Sequence, residues 1–549
     1  MTNRPNWNRT VLVLKPSANV SRSRWLGRVT ALLAACACLS FLIAASRTQT
    51  ADPLVILIVV DGLRPDAITP ADMPNLDRLR REGVEYVASH SMIPTVTRVN
   101  GAVFSTGRWP SATGILSNSP FVASVDSLRA LSTSDPSQMR ALAVANGGRL
   151  VAPLTLAEYV ERAGKRFVSV NAGSGGNGLF SNPQVLQGRG TLINANLSET
   201  PGSLRIAYPD SVARLIDARI GPPPKDSAGP TLNALQNWAD RIIREVALPV
   251  LRPNVLATWT AEPDESQHRF GVGSPEARDA LGNLDRDIGF LLATIDSLGL
   301  GDRANIIVTS DHGFARHDAR VDVADSLVAA GFKSARGSSD VVITGDAQSV
   351  QLFVRGHDAN TTRRIVSWLQ RRAWVDAIFT AGAEAPGTFS LADLHLDHAT
   401  RAPDIFFTLP WSDAPNRFGA PGSQMIAGGG KAGPLSGDAS GHGGASPWAV
   451  HNTLILWGPA FRRSTVIRAP AATVDVAPTI LDVVGIRGVS GLDGRSLREA
   501  LRDGPDPASV RFRTTTRTAR VAGYEASMQI TEILGEGGAS YVDKAWRNR

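Results

Sequence analysis

A chain of 549 residues can form one large α/β domain with insertions, or two to three ordinary domains. Its composition, with 43% hydrophobic and 19% charged residues, is typical of a soluble globular protein. The net charge of +7 arises entirely within residues 1–50, which hold seven basic and no acidic residues, so the high pI gives no support for a nucleic-acid-binding surface.

Residues 1–50 have the pattern of an export signal. A basic stretch ends at Arg28, and residues 29–46 carry no charge. This pattern predicts a cleaved secretory signal first, an uncleaved membrane anchor second and a lipoprotein with lipidated Cys36 third. We therefore expect an exported protein, periplasmic or secreted, that meets a membrane only through this segment.

Both cysteines of the chain, Cys36 and Cys38, lie in that segment. The rest of the chain therefore has neither disulfides nor thiolate metal ligands. Any metal ion there must be held by histidines and carboxylates, which favours zinc or a harder divalent ion.

The first predicted strand is the apolar, β-branched run 54–60, which is typical of a strand buried on both faces of a parallel sheet. It ends at Asp61, and open α/β sheets place their sites at the carboxyl ends of strands. A helix is predicted from Pro74 to the stop at Gly83. A hydroxyl follows at Thr95 or Thr97, and a hydroxyl at a helix N-terminus beside a carboxylate suits a nucleophile.

The middle of the chain alternates between predicted helices and strands. Residues 156–163 read as a short helix and 167–170 as a strand, and the glycine-rich segment 172–178 reads as a plain loop because no P-loop Lys-Ser/Thr follows it. A strand is predicted at 254–258. The Asp264 and His268 side chains beyond it are four residues apart and can converge on one ion from a short turn.

The most specific short motif is Asp311-His312-Gly313. It follows a helix predicted over 275–298 and a buried strand over 305–310, and its glycine frees the backbone to aim both side chains at one centre.

The remaining segments complete the predicted domain. Residues 318–440 read as an insertion that covers the site, with a long loop over 416–440. His442 lies in a glycine-rich turn without the apolar flanks of a core histidine, whereas His451 is predicted to be structural. Residues 503–549 read as a peripheral hairpin or tail.

Several motifs together resemble the nucleotide pyrophosphatase/phosphodiesterase family of the alkaline phosphatase superfamily over roughly residues 53–500. They are DGLRPD, MPNLDRLRREGV, PTVTRVNG, STGRWPSATGI and the following Asn118. The resemblance implies an α/β fold, namely an alkaline-phosphatase-like three-layer sandwich whose mostly parallel central sheet has helices on both faces. The catalytic domain would span 51–502, with 318–440 as its cap and 503–549 as an extension.

The resemblance also implies the site. Thr97 takes the place of the nucleophile, and Asn118 would stabilise a phosphate oxygen. Two zinc ions, or other divalent ions, would be held by two sets of residues: Asp61, Asp311, His312 and the Thr97 oxygen, and Asp264, His268 and His442. The implied reaction cleaves phosphodiester or pyrophosphate bonds of small nucleotide-like substrates through a phosphothreonine intermediate.

Two positions bear on the substrate. Arg98 stands where the family usually has an aromatic residue, and Trp259 keeps an aromatic on the other side of the predicted pocket; both are candidate substrate contacts. The segment 171–175 lacks the Lys and Arg that hold phosphate in related phosphomonoesterases. The alternatives are a phosphomonoesterase, a phosphonate hydrolase, or a catalytically inactive membrane-tethered binding protein. The presence of all seven candidate metal ligands argues against the inactive binding protein.

Overall fold

The structure, a computed structural model, describes residues 1–2, 52–195, 207–224, 229–345, 347–381, 385–535 and 538–549. The predicted signal, anchor or lipidation segment therefore lies outside the described residues, apart from Met1 and Thr2. The compact unit that follows extends from Pro53 to Arg549. Within the described ranges, no helix has the length and apolar character needed to cross a membrane.

A nine-stranded sheet forms the centre of the unit. Its strands, in spatial order, are Thr465–Ile467, Val84–Tyr86, Leu454–Trp457, Ala304–Thr309, Leu54–Val59, Val255–Trp259, Phe167–Asn171, Leu192–Asn194 and Ala207–Tyr208. The five neighbouring strands from Ala304–Thr309 to Leu192–Asn194 run parallel, so their carboxyl ends meet at one edge of the sheet.

Helices cover both faces of this sheet. Alternate side chains of the Leu54–Val59 strand enter two different hydrophobic clusters, as expected for a strand buried on both sides. One face packs against the helices Pro74–Glu82, Asn233–Ile242, Ile243–Leu251 and Pro275–Ser297. The other packs against Thr97–Thr106, Leu156–Arg162 and Val476–Val483. The predicted α/β sandwich is confirmed.

The remaining described α-helices are shorter or more peripheral. They are Pro110–Thr113, Pro136–Ala145, Gly175–Ser181, Asp210–Arg219, Asp264–Phe270, Val323–Ala329, Ala359–Leu369 and Pro447–Val450.

Three local predictions were wrong. The glycine-rich segment 172–178 is not a plain loop, because Gly175–Ser181 is helical and the Ser174 side chain accepts a hydrogen bond from the backbone N–H of Asn177. Asp264 and His268 lie on the helix Asp264–Phe270 rather than on a turn. The predicted long loop 416–440 contains the strand Ser423–Ala427.

Two smaller sheets lie within or beside the segment 318–440. The first contains Val341–Gly345, Ser349–Val354, Ile405–Thr408, Ile378–Thr380 and Phe389–Ser390. The second contains Trp411–Ser412, Ser423–Ala427, Ala315–Val321 and Gly433–Pro434, and the short strand Ser440–Gly441 also pairs with Ala315–Val321. This last pairing fixes the turn that carries His442 next to the segment following His312.

The C-terminal segment forms three antiparallel strands, Phe512–Val521, Tyr524–Ile533 and Ser540–Arg547, where a hairpin or tail was predicted. Side chains on its inner face, such as Met528 and Ala545, belong to the same hydrophobic cluster as residues of the segment 321–409. The division into a catalytic domain, a cap and an extension stays a prediction.

Candidate metal centre

Three neighbouring parallel strands bring the predicted acidic side chains to one edge of the central sheet. The strand Leu54–Val59 lies between Val255–Trp259 and Ala304–Thr309. Asp61 and Asp311 each follow their strand by two residues, and Asp264 begins the helix that follows the third strand. Their convergence is therefore a direct result of the parallel topology.

The first group consists of Asp61, Asp311 and His312, whose candidate ligand atoms all lie within 4.8 Å of one another. His312 Nε2 is 3.2 Å from Asp311 Oδ2 and 3.5 Å from Asp61 Oδ1. The backbone N–H of Gly62 donates to Asp311 Oδ1 at 3.1 Å, which leaves Oδ2 facing the group.

Thr97 contacts this first group. Its Oγ1 lies 3.3 Å from His312 Nε2, and it is the first residue of the helix Thr97–Thr106. Thr95 is placed differently, because its hydroxyl is fully buried, accepts from the N–H of Gly443 and donates to the carbonyl of Gly444. Of the two threonines that the sequence left open, only Thr97 has its hydroxyl beside the histidine.

The second group consists of Asp264, His268 and His442, again with all candidate ligand atoms within 4.8 Å. The Nε2 atoms of the two histidines are 3.2 Å apart, and each is 3.5 Å from an oxygen of Asp264. His312 Nε2 is 4.0 Å from Asp264 Oδ1, and the rings of His312 and His442 stack with centroids 3.5 Å apart. The two groups are thus adjacent.

Backbone carbonyls fix the orientation of all three imidazoles. His268 Nδ1 donates to the carbonyl of Ser440 at 2.9 Å, His442 Nδ1 to that of Thr95 at 2.8 Å, and His312 Nδ1 to that of Gly313 at 3.2 Å. A proton on each Nδ1 leaves a lone pair on each Nε2, which is the usual arrangement of metal-binding histidines.

Three carboxylate oxygens within the two groups are suited to bind cations. Asp61 Oδ1, Asp264 Oδ1 and Asp311 Oδ2 are buried and have no hydrogen-bond partner among the described residues. Such carboxylate oxygens are costly in a protein interior unless an ion or a proton compensates them. The donor set of carboxylate oxygens and imidazole nitrogens suits zinc and similar divalent ions.

The pKa shifts of these carboxyl groups and imidazoles also favour a bound cation. Burial, reinforced by the neighbouring Asp311 charge, raises the pKa of Asp61 well above its usual range, and burial raises the pKa of Asp311 to about 7. Burial lowers the pKa of His312 to about 3 and holds that of His442 well below its usual range. Neutral imidazoles are ready ligands, and a bound cation reverses the effect on the carboxyls.

Three side chains hold the acidic residues in place. The indole N–H of Trp259 donates to Asp61 Oδ2 at 3.0 Å, and its ring is only 3% exposed. Glu262 is buried and accepts from both the N–H and the hydroxyl of Ser266, which fixes the helix that begins at Asp264. Gln267 Nε2 donates to the carbonyl of Gly62 and so joins this helix to the turn after Asp61.

A hydrogen-bonded chain connects Asn118 to the helix of Thr97. Asn118 Oδ1 accepts from the backbone N–H of Arg98 at 2.9 Å, and the Asn118 carbonyl accepts from the Thr133 hydroxyl. Thr133 Oγ1 in turn accepts from Arg98 Nε at 3.1 Å. The Arg98 side chain is buried, and its charge lowers the pKa of Asp61 and Asp264 against the larger opposing effect of burial.

Sequence reasoning missed the supporting contacts of Thr95 and Gln267. Thr95 was considered only as an alternative nucleophile, yet its carbonyl orients His442 and its hydroxyl binds the turn that carries this histidine. Gln267 lies between the predicted ligands Asp264 and His268, and nothing in its residue type indicates the hydrogen bond that its side chain donates to the carbonyl of Gly62.

The chain matches the family model described as type I phosphodiesterase/nucleotide pyrophosphatase over residues 55–409, which is well over half of its length. The chain therefore belongs to the type I phosphodiesterase/nucleotide pyrophosphatase family.

The individual relatives share low sequence identity with this chain. A bis(5′-adenosyl)-triphosphatase from Xenopus laevis is 24% identical over 270 residues, 49% of each chain. Venom phosphodiesterase 2 from Crotalus adamanteus is 24% identical over 47% of this chain and 26% of the relative. The chain thus spans half or less of the length of these curated relatives. Murine ectonucleotide pyrophosphatase/phosphodiesterase 5, solved as an inactive variant in complex with AMP, superimposes with a TM-score of 0.56 at 14% identity, covering 82% of this chain and 100% of that one.

Proposed function

We propose that this protein is an exported hydrolase that cleaves phosphodiester or pyrophosphate bonds in nucleotide-like substrates, with Thr97 as the nucleophile. The observation that carries the proposal is the position of Thr97 Oγ1, 3.3 Å from His312 Nε2 and at the edge of two adjacent carboxylate–histidine groups. Family membership supports this class of reaction, as do the relatives, which are named as phosphodiesterases and a dinucleoside triphosphatase.

In this proposal the two groups hold two zinc or other divalent ions. Asp61, Asp311, His312 and Thr97 Oγ1 bind one ion, and Asp264, His268 and His442 bind the other. Paired divalent ions in such sites lower the pKa of a coordinated hydroxyl and neutralise charge that develops on phosphorus and on the leaving oxygen.

The covalent steps of the proposed reaction take place at Thr97. Thr97 Oγ1 loses its proton and forms a bond to phosphorus as the bond to the leaving oxygen breaks, and the leaving oxygen takes up a proton and departs with an alcohol or a nucleotide. Water then attacks the phosphothreonine and breaks the bond between Oγ1 and phosphorus, which leaves a phosphate monoester, while a proton from the water restores the Thr97 hydroxyl. The N-terminus of the helix Thr97–Thr106 favours the negative charge on Oγ1 during the first step.

Asn118 and Arg98 would contact the substrate. Asn118 Oδ1 accepts from the backbone N–H of Arg98, which holds the Asn118 amide beside the start of the Thr97 helix, where its Nδ2 would stabilise a non-bridging phosphate oxygen. Arg98 would pair with a phosphate or stack on a base, and Trp259 would line the other side. Export is supported by the N-terminal sequence pattern and by the relatives, which include a venom phosphodiesterase.

The test compares three substrates with purified protein in zinc and after chelation: bis-p-nitrophenyl phosphate, p-nitrophenyl phosphate and the p-nitrophenyl ester of thymidine 5′-monophosphate. We expect zinc-dependent preference for the two diesters. Thr97→Ala should lower kcat about a thousandfold or more because the covalent step is lost. Thr97→Ser, which keeps a hydroxyl, is the matched control and should retain a substantial part of the rate.

Two outcomes would contradict the proposal. Preference for the monoester would favour a phosphomonoesterase and require a phosphate-binding cation elsewhere in the pocket. Absence of turnover in protein that retains its zinc would favour a binding protein.

A further inference from the structure

A third cluster of histidines and a carboxylate lies outside the two groups described above. It consists of His90, at the end of the strand Ser89–His90, His451, directly after the helix Pro447–Val450, and Asp543, on the C-terminal strand Ser540–Arg547. Their candidate ligand atoms all lie within 4.8 Å of one another. The cluster joins three parts of the chain that are far apart in sequence.

Two of the three side chains are oriented by a partner on their other polar atom. His90 Nδ1 donates to the carbonyl of Ala471 at 3.0 Å, which directs Nε2 toward Asp543 Oδ1 at 2.7 Å. The other oxygen, Asp543 Oδ2, accepts from the Thr531 hydroxyl at 2.8 Å. Metal-binding histidines and carboxylates usually have such supporting hydrogen bonds on the atom that does not touch the ion.

His451 supplies an independent observation. Its Nδ1 is buried and has no hydrogen-bond partner among the described residues, although its ring centroid is only 5.0 Å from that of His90. An unpaired ring nitrogen beside an imidazole and a carboxylate is unfavourable without a compensating group.

We propose that His90, His451 and Asp543 bind a third divalent transition-metal ion, of the zinc class, that connects the C-terminal sheet to the catalytic core. Two imidazole nitrogens and one carboxylate oxygen form a donor set that zinc accepts, with water as a fourth ligand. Ligand atoms about 2 Å from a tetrahedral ion are about 3.3 Å apart, so binding requires only small side-chain movements within this cluster.

Ion binding at His90 would replace a hydrogen bond. Without an ion, the two nitrogens of His90 face the acceptors Ala471 O and Asp543 Oδ1. A hydrogen that Nε2 donates to Asp543 Oδ1 gives way to the ion and leaves to solvent as a proton. The competing arrangement is a plain His90–Asp543 hydrogen bond in which His451 takes no part.

The first experiment counts metal equivalents in the full-length protein after zinc loading and removal of excess zinc, by elemental mass spectrometry. We expect three equivalents per chain. His451→Gln should remove one equivalent, because it deletes one ligand while leaving the pair His90–Asp543 intact. His395→Gln is the matched control, since this half-buried histidine also contacts the C-terminal sheet, through the carbonyl of Ser540, and should retain all three.

The second measurement separates this proposal from the proposed function. Asp264→Asn should lose an ion from the catalytic groups but keep the one lost in His451→Gln. Cobalt substitution should show one absorption band that disappears in His451→Gln and persists in Asp264→Asn. Equal metal content in wild type and His451→Gln, with both proteins folded by circular dichroism, would overturn the third site and leave only the His90–Asp543 hydrogen bond.

Discussion

Trp259 makes a hydrogen bond at the metal centre that could not be predicted from its residue type. Its indole N–H donates to Asp61 Oδ2, while the ring packs edge-on against Phe104 with centroids 5.7 Å apart. Trp259 therefore fixes the rotamer of a carboxylate whose other oxygen, Oδ1, faces His312. Partners of this kind typically affect metal affinity by 10- to 100-fold.

We expect Trp259→Phe to weaken metal binding by about tenfold or more, because it removes the indole N–H while retaining an aromatic ring. The measurement is zinc affinity by chelator competition, together with kcat and KM for a diester substrate. Trp238→Phe is the matched control, since this buried indole donates to the carbonyl of Gly221 and packs against the opposite face of the sheet. A change in KM alone, with unchanged zinc affinity, would instead indicate that the ring contacts the substrate.

The carboxylate ligands could be predicted from sequence because each follows a strand with an apolar pattern, whereas His442 was indicated only by its glycine-rich turn. Asp61 and Asp311 occupy equivalent positions after neighbouring parallel strands, so topology alone brings them together. The contacts of Gln267 and Thr95 could not be predicted, because a side-chain hydrogen bond to a distant carbonyl or N–H depends on the tertiary fold. The same holds for His90, which has no motif around it.

Two helices on one face of the sheet bury a pair of carboxylates between them. Asp240 lies on the helix Asn233–Ile242, and Asp287 on the helix Pro275–Ser297. Burial raises the pKa of Asp240 to about 6 and that of Asp287 to about 7, the latter with a contribution from the charge of Asp240. Asp240 has a cation, Arg244, within hydrogen-bond distance, and Asp287 receives a long hydrogen bond from Asn283.

This arrangement predicts a loss of stability with rising pH. The folded protein holds the Asp287 proton more tightly than the unfolded chain, so the contribution of Asp287 to the free energy of unfolding falls between about pH 4 and pH 7 and then levels off. Asp287→Asn removes this dependence and should stabilise the protein by about 3 kcal/mol at pH 8, with little effect at pH 4. The measurement is urea denaturation at both pH values.

The control for this prediction is Asp279→Asn on the same helix. Asp279 is exposed, so its substitution should change the unfolding free energy little at either pH. Equal effects of Asp287→Asn at pH 4 and pH 8 would show that packing rather than ionisation governs the position.

Elements with strong periodicity were predicted, whereas elements that depend on distant partners were not. The helix Pro275–Ser297 has a regular apolar face and was predicted almost to the residue. The helix Gly175–Ser181 was missed because glycine disfavours helix in isolation. Here Gly176 packs so closely on Thr133 that an added Cβ would lie 2.2 Å from its carbonyl oxygen. The strand Ser423–Ala427 forms by pairing with Ala315–Val321, about a hundred residues earlier.

In the molecule as a whole, the C-terminal sheet contributes side chains to a hydrophobic core that it shares with other parts of the chain. Its strand Tyr524–Ile533 buries alternate side chains in the cluster that also contains the strands Ser349–Val354 and Ile405–Thr408. Tyr541 donates to Asp475 Oδ2 at 2.8 Å, next to the helix Val476–Val483 that packs on the central sheet. These contacts couple the end of the chain to both the insertion and the catalytic core.

We therefore expect Met528→Ala to destabilise the whole molecule by about 2–4 kcal/mol, because its fully buried side chain leaves a cavity in this shared core. Thr516→Ala, on the exposed strand Phe512–Val521 of the same sheet, is the control and should cost less than about 0.5 kcal/mol. The measurement is chemical denaturation followed by two probes, circular dichroism and loss of diester hydrolysis. Both transitions should shift to lower denaturant together in Met528→Ala, since the C-terminal sheet and the metal centre belong to one cooperative unit. A variant that loses only the spectroscopic signal of the C-terminal sheet, while hydrolysis persists to the wild-type denaturant concentration, would show that the sheet unfolds independently.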